Sequence, residues 1–436
     1  MNRFKRYERY KDSGIEWIGE IPEHWNISKL KYLTYCLDGK RIPLSSEQRG
    51  EMQGDIPYWG ANCIIDYVND WIIDGEVVLL GEDGAPFFDK NKDVAFYSNE
   101  KIWPNNHVHV LRALQSINAK LLTYILNTVD YRNYINGSTR DKLTQSEMKN
   151  ILIQLPSAQE QKAIANFLDQ KTAEIDGLIA DKEKLNELLQ EKRQAIITEA
   201  VTKGLNPNVR MKDSGIEWIG EIPEHWKVTK VKYYYDVCLG KMIQPNQEDY
   251  SDTLEYYLCA INVTWDGIDI SNLKEMWFSN EDKKKYSIKS GDLIVCEGGD
   301  AGRASIWDGS VENCYIQNAV HRVREKKSSS NKYLYYWLYF LKHAGYTDLI
   351  CNKATIMHYT YEKFLNTILV LPDLDEQRKI VYYLDEKIAE INSLKKEIEE
   401  QLQKLKEYRQ SLISEAVTGK IDVREFENKD GVIYSE

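Results

Sequence analysis

Between residues 384 and 412 an aliphatic side chain returns every seventh position, at Leu384, Ile391, Ile398, Leu405 and Leu412. Leu394 and Tyr408 fill part of the second seam position. An earlier stretch repeats the period through Leu168, Ile175, Leu189 and Ile196, with Leu178 and Leu185 beside them and Lys182 as an interruption. A 3.5-residue period held over successive heptads predicts two long coiled-coil helices. Forty residues of helix would extend roughly 60 Å. Each helix starts after a Leu-Pro with a capping box, Ser157 with Glu160 and Asp373 with Glu376. Each stops at a glycine, Gly204 or Gly419. The matching seams predict an antiparallel intramolecular pair; the alternative is that each helix packs only on its own domain.

Ahead of each helix the period changes from seven to two. The runs 72–80 (IIDGEVVLL) and 288–296 (IKSGDLIVC) predict strands, each followed by a Gly-rich turn, GEDGA at 81–85 and EGGDA at 297–301. Short strands are expected around 107–113 and 318–325, then helices at 120–129 and 332–341. A polar loop follows in each case, at 137–145 and 352–360, and a last strand runs into the Leu-Pro. The two segments therefore share one α/β (α+β) skeleton.

The likeness is a tandem repeat. KDSGIEWIGEIPEHW at 11–25 returns unchanged at 212–226; 155–179 matches 371–395, and RQAIITEAVTKG (193–204) matches RQSLISEAVTGK (409–420). The expected organisation is a first globular domain over 1–154, a helix over 155–204, a second domain over 205–370, a helix over 371–420 and a tail over 421–436. The repeated phrase carries two aromatic anchors per copy, Trp17 and Trp25, then Trp218 and Trp226. They fit either a packing staple between helix and domain or a partner-docking surface, and the two roles are compatible.

A net charge of −11 argues against nucleic acid at first sight. Its distribution removes the objection. Residues 26–150 carry 14 basic and 16 acidic side chains, and 227–366 carry 18 of each, so both large segments are near neutral. Seven scattered cysteines without a C-x-x-C pair speak against a disulfide framework or zinc ribbon and for a reducing cytoplasm. No apolar stretch approaches the ~20 residues of a membrane span, and the N-terminal residues lack the apolar run of a secretory signal.

Catalytic motifs fail one after another. EGGDAGRAS at 297–305 lacks the lysine and spacing of a phosphate-binding loop, and NPN at 206–208 lacks the aromatic of an adenine methyltransferase motif. Glu160-Gln161-Lys162 could suggest a nuclease, but its counterpart Glu376-Gln377-Arg378 shares the same capping position. There is no HExxH and no His/Cys cluster, so neither a catalytic nor a metal site is expected.

With the repeated SGIEWIGEIPEHW, the Leu-Pro-x-x-x-Glu-Gln helix entries and the RQ-x-x-I/L-I-x-E-A-V-T helix ends, the chain resembles the specificity subunit of a type I restriction–modification system. That resemblance covers the framework of the whole chain. It implies a non-catalytic subunit in which two target recognition domains each read half of a bipartite double-stranded DNA site. It further implies helices that act as a ruler, two methyltransferase partners carrying S-adenosylmethionine for N6-adenine methylation, and a motor-nuclease partner using ATP and Mg for restriction. The chain itself is then expected to hold no cofactor. A different class of function, a coiled-coil scaffold joining two protein partners without base readout, is disfavoured by polar loops at equivalent places in both domains. Arg can bond guanine bidentately and Asn or Gln adenine, so candidate readers were sought in polar loops. In the first domain these are Lys40, Arg41, Ser45, Gln48, Arg49, Tyr58, Asn62, Ser138, Thr139 and Arg140. In the second they are Lys241, Gln244, Asn246, Asn262, Thr264, Arg303, Lys353, Thr355 and His358.

Overall fold

A computed structural model describes residues 4–135, 141–326, 328–351 and 358–426. The chain divides into two compact units, 1–183 with 399–436, and 184–398. Both long helices exist, Ala158–Lys203 and Leu374–Val417, and each contributes one end to each unit. A unit is therefore not one half of the sequence. It takes its own phrase, its own globular domain, the start of its own helix and the end of the other.

In unit 1 the central sheet has four antiparallel strands in the order Thr34–Cys36, Val108–Ala113, Val77–Gly81, Ala95–Ser98. Unit 2 repeats that order with Tyr235–Leu239, Val320–Glu325, Leu293–Cys296 and Ala304–Ile306. Each also has a three-stranded sheet with one parallel pair, Gln53–Trp59 beside Trp103–Pro104 and Thr253–Leu258 beside Tyr315–Ile316. Helices Ala119–Leu126 and Asn331–His343 bury their apolar faces on the central sheets. The mixed α+β class is as expected. The strands predicted at 72–80 and 288–296 begin later, at Val77 and Leu293, because Gly75 and Gly291 turn the chain at φ 89°.

Within each unit the helix segments run antiparallel. In unit 1 Arg409 reaches Asp176 at 2.8 Å, Lys406 reaches Glu183 at 3.6 Å, and Lys182 donates to Gln401 at 2.5 Å. Lys182, which interrupts the heptads, is thus satisfied by a polar partner across the pair. Leu168, Ile175 and Leu412 are buried in unit 1, and Leu189, Leu384, Ile391 and Ile398 in unit 2. The second seam position departs from expectation. Leu178, Leu185, Leu394 and Tyr408 stay about half exposed, at 51, 45, 48 and 48%. One apolar residue per heptad is enough here because the remaining apolar helix residues turn towards the globular domains, as Phe167 and Ile197 do.

Candidate DNA-reading loops and framework junctions

The repeated phrase and the helix start prove to be two parts of one junction. His24 Nε2 lies 2.9 Å from Glu160 Oε1, and the Trp25 indole donates to the same carboxylate at 3.3 Å. In unit 2 His225 Nε2 lies 2.8 Å from Glu376 and the Trp226 indole donates at 3.0 Å. Ser157 caps the first helix through the Glu160 amide, and Asp373 caps the second through the Glu376 amide. Burial would raise the Glu160 carboxyl, but hydrogen bonds from Ser157, His24 and Trp25 hold it below its ordinary value. The adjacent glutamine performs the other half of the task. Gln161 Nε2 donates to the Ser116 carbonyl at 3.0 Å, and Gln377 Nε2 to the Ser328 carbonyl at 3.1 Å. Glu holds the phrase, and Gln holds the globular domain. The helix-ending glycines close the junction: a Cβ on Gly419 would come 3.1 Å from the Trp25 ring, and one on Gly204 3.1 Å from the Trp226 ring, both at positive φ.

Of the phrase tryptophans expected as partner contacts, Trp25 and Trp226 are corrected to packing roles, whereas Trp218 keeps 37% exposure. Trp25 and Trp226 are fully buried. Trp17 packs against the unit 1 core, and Trp218 lies on Phe340 and Tyr346 at 5.9 and 5.1 Å. What the phrase presents outward is acidic: Asp12, Glu16, Glu20 and Glu23, and equally Asp213, Glu217, Glu221 and Glu224, are exposed.

In the loops expected to hold base readers, many of the side chains are already engaged. In unit 1 the turn after Val77–Gly81 meets the loop after Cys36 and the chain leaving the closing loop: the Leu143 amide donates to the Glu82 carbonyl at 2.8 Å. Arg41 reaches Glu82 at 2.5 Å and the Val108 carbonyl at 2.9 Å; Arg49 reaches Asp66 at 3.0 Å and the Leu44 carbonyl at 2.9 Å. Tyr58 is 2% exposed, its hydroxyl holding the Leu44 amide at 2.9 Å. Ser45 and Gln48 form a reciprocal capping box on Ser46–Glu51. In unit 2 Lys241 is paired with Asp282 and Gln244, and Asn262 is buried while pinning the Cys259 amide and the Asp269 carbonyl. Arg303 donates to the Ala260 carbonyl at 2.9 Å, and Thr264 to the Gly267 carbonyl at 2.8 Å. As base readers, the buried Tyr58 and Asn262 are therefore corrected to loop-shaping roles, whereas Arg41, Arg49, Lys241 and Arg303 shape the loops while staying partly exposed. Gln244 is half-buried against Asp252 at 3.2 Å. Lys40, Asn62, Asn246 and His358 are exposed, as are Ser45, Gln48 and Thr264. Ser138, Thr139, Arg140, Lys353 and Thr355 lie outside the described residues.

This division predicts two kinds of variant. Lys40→Ala and Asn62→Ala should weaken DNA binding by the assembled complex and leave the melting temperature unchanged. Arg41→Ala, which removes the ion pair to Glu82 and the hydrogen bond to the Val108 carbonyl, should cost about 1–3 kcal/mol in urea unfolding. An unchanged unfolding midpoint for Arg41→Ala would contradict the loop-shaping role.

Sequence reasoning passed over a buried histidine at the same place in each central sheet. His109 Nε2 donates to the Leu143 carbonyl at 2.9 Å and His321 Nε2 to the Tyr359 carbonyl at 2.9 Å, so each anchors the exit of a closing loop. Their strands read VHVLRA and VHRVRE, which is the signal that could have found them. The surroundings differ. His109 Nδ1 faces Asp38 at 2.7 Å; burial alone would raise that carboxyl, but His109, the Val110 amide and Arg41 hold it below the usual carboxylate range. Asp38, Glu82 and His109 also make a compact donor set for a metal ion. Arg41 and Lys142 already neutralise it, with Lys142 3.3 Å from Glu82, so an ion-pair network accounts for the cluster. Among the described residues His321 has no such partner on Nδ1, and it stacks on Phe364 with ring centroids 5.5 Å apart.

Burial pushes the His321 imidazole down to about 4, the Tyr359 carbonyl only partly opposing it. Because the folded value lies below the unfolded one of about 6.5, the stability this group contributes is complete above pH 6.5 and is lost as pH falls towards 4. Unit 2 should lose about 3 kcal/mol across that window, read as the urea midpoint against pH. His321→Gln should flatten the slope; an equally steep slope in that variant would place the effect elsewhere.

The description "Type I restriction modification DNA specificity domain" matches residues 22–190 and again 223–404, one copy per globular domain and following helix. A Haemophilus influenzae protein bearing the name of a type I restriction enzyme specificity subunit is 30% identical over 86% of this chain and 92% of its own length. The MjaVIII specificity subunit of Methanocaldococcus jannaschii is 25% identical over 97% of this chain and 98% of its own. A chain from a solved type I R-M system, 16% identical, shares the fold with a TM-score of 0.66 over 91% of this chain and 98% of that one. The chain belongs to the type I restriction–modification DNA specificity family. Its role is DNA sequence specificity, exercised through two recognition domains. No described helix is long and apolar enough to cross a membrane.

Proposed function

We propose that each globular domain reads one half of an asymmetric bipartite DNA site and that the chain delivers two methyltransferase subunits to it without performing chemistry itself. In this reading S-adenosylmethionine sits on the partner, which methylates adenine at N6, and a motor-nuclease partner with ATP and Mg joins for restriction. The observation that carries the reading is the contrast within each unit. The Glu–His–Trp junction is the same in both, whereas the loops above it differ: Arg41 with Glu82 and Asp38 in one, Lys241 with Asp282 and Gln244 in the other. A duplicated framework suits two copies of one partner, and dissimilar loops suit two different base sequences. Near-neutral domains would bind free DNA weakly, so the partners must supply much of the phosphate attraction.

The test is to co-express the chain with a methyltransferase subunit from the same locus and map N6-methyladenine across the host DNA. One bipartite motif, absent without this chain, is expected. Unaltered methylation by a complex that does form would replace base readout with the scaffold role.

A further inference from the structure

The two units share a junction but differ in what covers it. In unit 2 a groove of about 820 Å³ opens beside the end of the first long helix, lined by Ile196, Ala200, Leu205, Pro207, Ile219 and Tyr383 among others. The repeat offsets place Leu412, Ile421, Ile18 and Phe167 at the corresponding points of unit 1. All four of these are buried, at 2, 6, 3 and 0% exposure. Their unit 2 counterparts are uncovered: Ile196, Ile219 and Tyr383 are half-buried and Leu205 is 42% exposed.

The cover in unit 1 is identifiable. There two passes of chain cross the junction, residues 4–10 and 420–426, tied by a bridge between Lys5 and Asp422 and by the Tyr10 hydroxyl donating to the Gly419 carbonyl at 3.0 Å. Phe4 and Phe426 both meet Phe167 edge-on, with centroids 5.4 and 4.9 Å away. In unit 2 a single pass, residues 204–211, makes the whole connection and brings no aromatic ring. The groove is the place of the missing pass. Its lining carries two carboxylates, Glu199 and Glu221, against one lysine, Lys203, and Glu217 and Glu224 are exposed on the same phrase, so the surroundings are acidic on balance. Of the two segments that fill the unit 1 site, the first is basic beside its ring, Phe4-Lys5-Arg6, and the second has Arg424 and Glu425 before Phe426, with the helix residue Lys171 over that ring at 5.3 Å.

We infer that the unit 2 groove receives an aromatic side chain with basic neighbours from a methyltransferase subunit, and that unit 1 fills the equivalent place with the chain's own Phe4 and Phe426. This assignment rests on the specificity-subunit reading for the identity of the partner. It makes the two halves unequal: one partner copy gains an anchoring side chain that the other does not. Burying a phenylalanine-sized ring beside Tyr383 and Leu205 corresponds to roughly a tenfold to hundredfold change in affinity.

The experiment uses the full chain with its co-expressed methyltransferase subunit. Leu205→Lys and Pro207→Lys alter exposed positions, so the fold should survive, as checked by melting temperature. Both should weaken binding of one methyltransferase copy at least tenfold and leave the methylated motif unchanged. A photo-crosslinking benzoylphenylalanine at Leu205 should capture a methyltransferase peptide that contains an aromatic residue. Unchanged affinity, or a crosslink to no methyltransferase peptide while the complex forms, overturns the assignment. So does a wild-type chain that dimerises through this face and becomes monomeric on Leu205→Lys, since the occupant is then a second copy. If the wild-type chain fails to assemble with the methyltransferase at all, the specificity-subunit reading falls and this assignment falls with it. A preserved motif with weakened assembly separates the two claims.

Discussion

Replacing residues 227–366 with the corresponding segment of another specificity subunit should change one half of the methylated motif completely and leave the other half and the gap as they were. The segment starts directly after Trp226 and ends before the strand Ile368–Leu371, so the buried Trp226, the Glu376 carboxylate and the capping Asp373 all stay native. The contacts that cross the boundary must be matched by the donor sequence. The strand Lys227–Lys230 pairs with Ile368–Leu371, and Gln377 holds the Ser328 carbonyl. These two are made to backbone, which lets side chains differ; Arg193 with Asp266 and Tyr336 with Asp385, each at 2.8 Å, are side-chain pairs that the donor must also supply. Methylome sequencing reads the outcome. A motif altered in both halves, or in neither, would show that base reading is not partitioned between the domains.

Trp226→Ala should destabilise unit 2 by about 3–5 kcal/mol, the range for removing a fully buried large aromatic side chain. The loss has several sources. The ring fills the space against Gly204, and its indole N–H shares the Glu376 carboxylate with His225. Truncation therefore opens a cavity and removes a hydrogen bond from a helix-capping residue at once. Trp226→Phe keeps most of the volume and loses the hydrogen bond, so about 1–2 kcal/mol is expected. Hydrogen exchange resolves the location: amides of Leu293–Cys296 and Val320–Glu325 should exchange faster, and those of Val77–Gly81 should not. Equal acceleration in both units would mean that the two junctions do not act separately.

The long helices, their caps and their terminal glycines were legible because each depends on neighbours within four residues. The repeat was legible because it needs only comparison of the chain with itself. The side-chain assignments in the loops were less so. Arg41 carries a guanidinium of the kind that can read guanine, yet its partner Glu82 lies 41 positions away and nothing local reveals the pairing. Tyr58 and Asn262 were selected for their polar atoms, which turn out to hold Leu44 and Asp269. The phrase tryptophans pose the opposite problem. Their repetition showed that they matter, but packing and docking leave the same mark on a sequence until a contact such as Trp25 with Glu160 is seen. The half-exposed Leu178 and Leu394 show the limit of heptad reading, since a period announces a seam without saying how much of it is covered.

Because every unit borrows its second helix segment from the other half of the sequence, a single half has no complete hydrophobic core. Ile197, Ala200 and Val201 belong to the core around Trp226, and Leu412, Ile413, Ala416 and Val417 to the core around Trp25. A gene encoding only residues 205–426 would make a chain whose helix end has no junction to enter, unless another copy offers one. Two such copies could trade ends and become a homodimer with twofold symmetry, whose DNA site would be an inverted repeat. An asymmetric target of the two-domain chain would then be the mark of a duplication that let two once-identical readers drift apart while their shared joints could not.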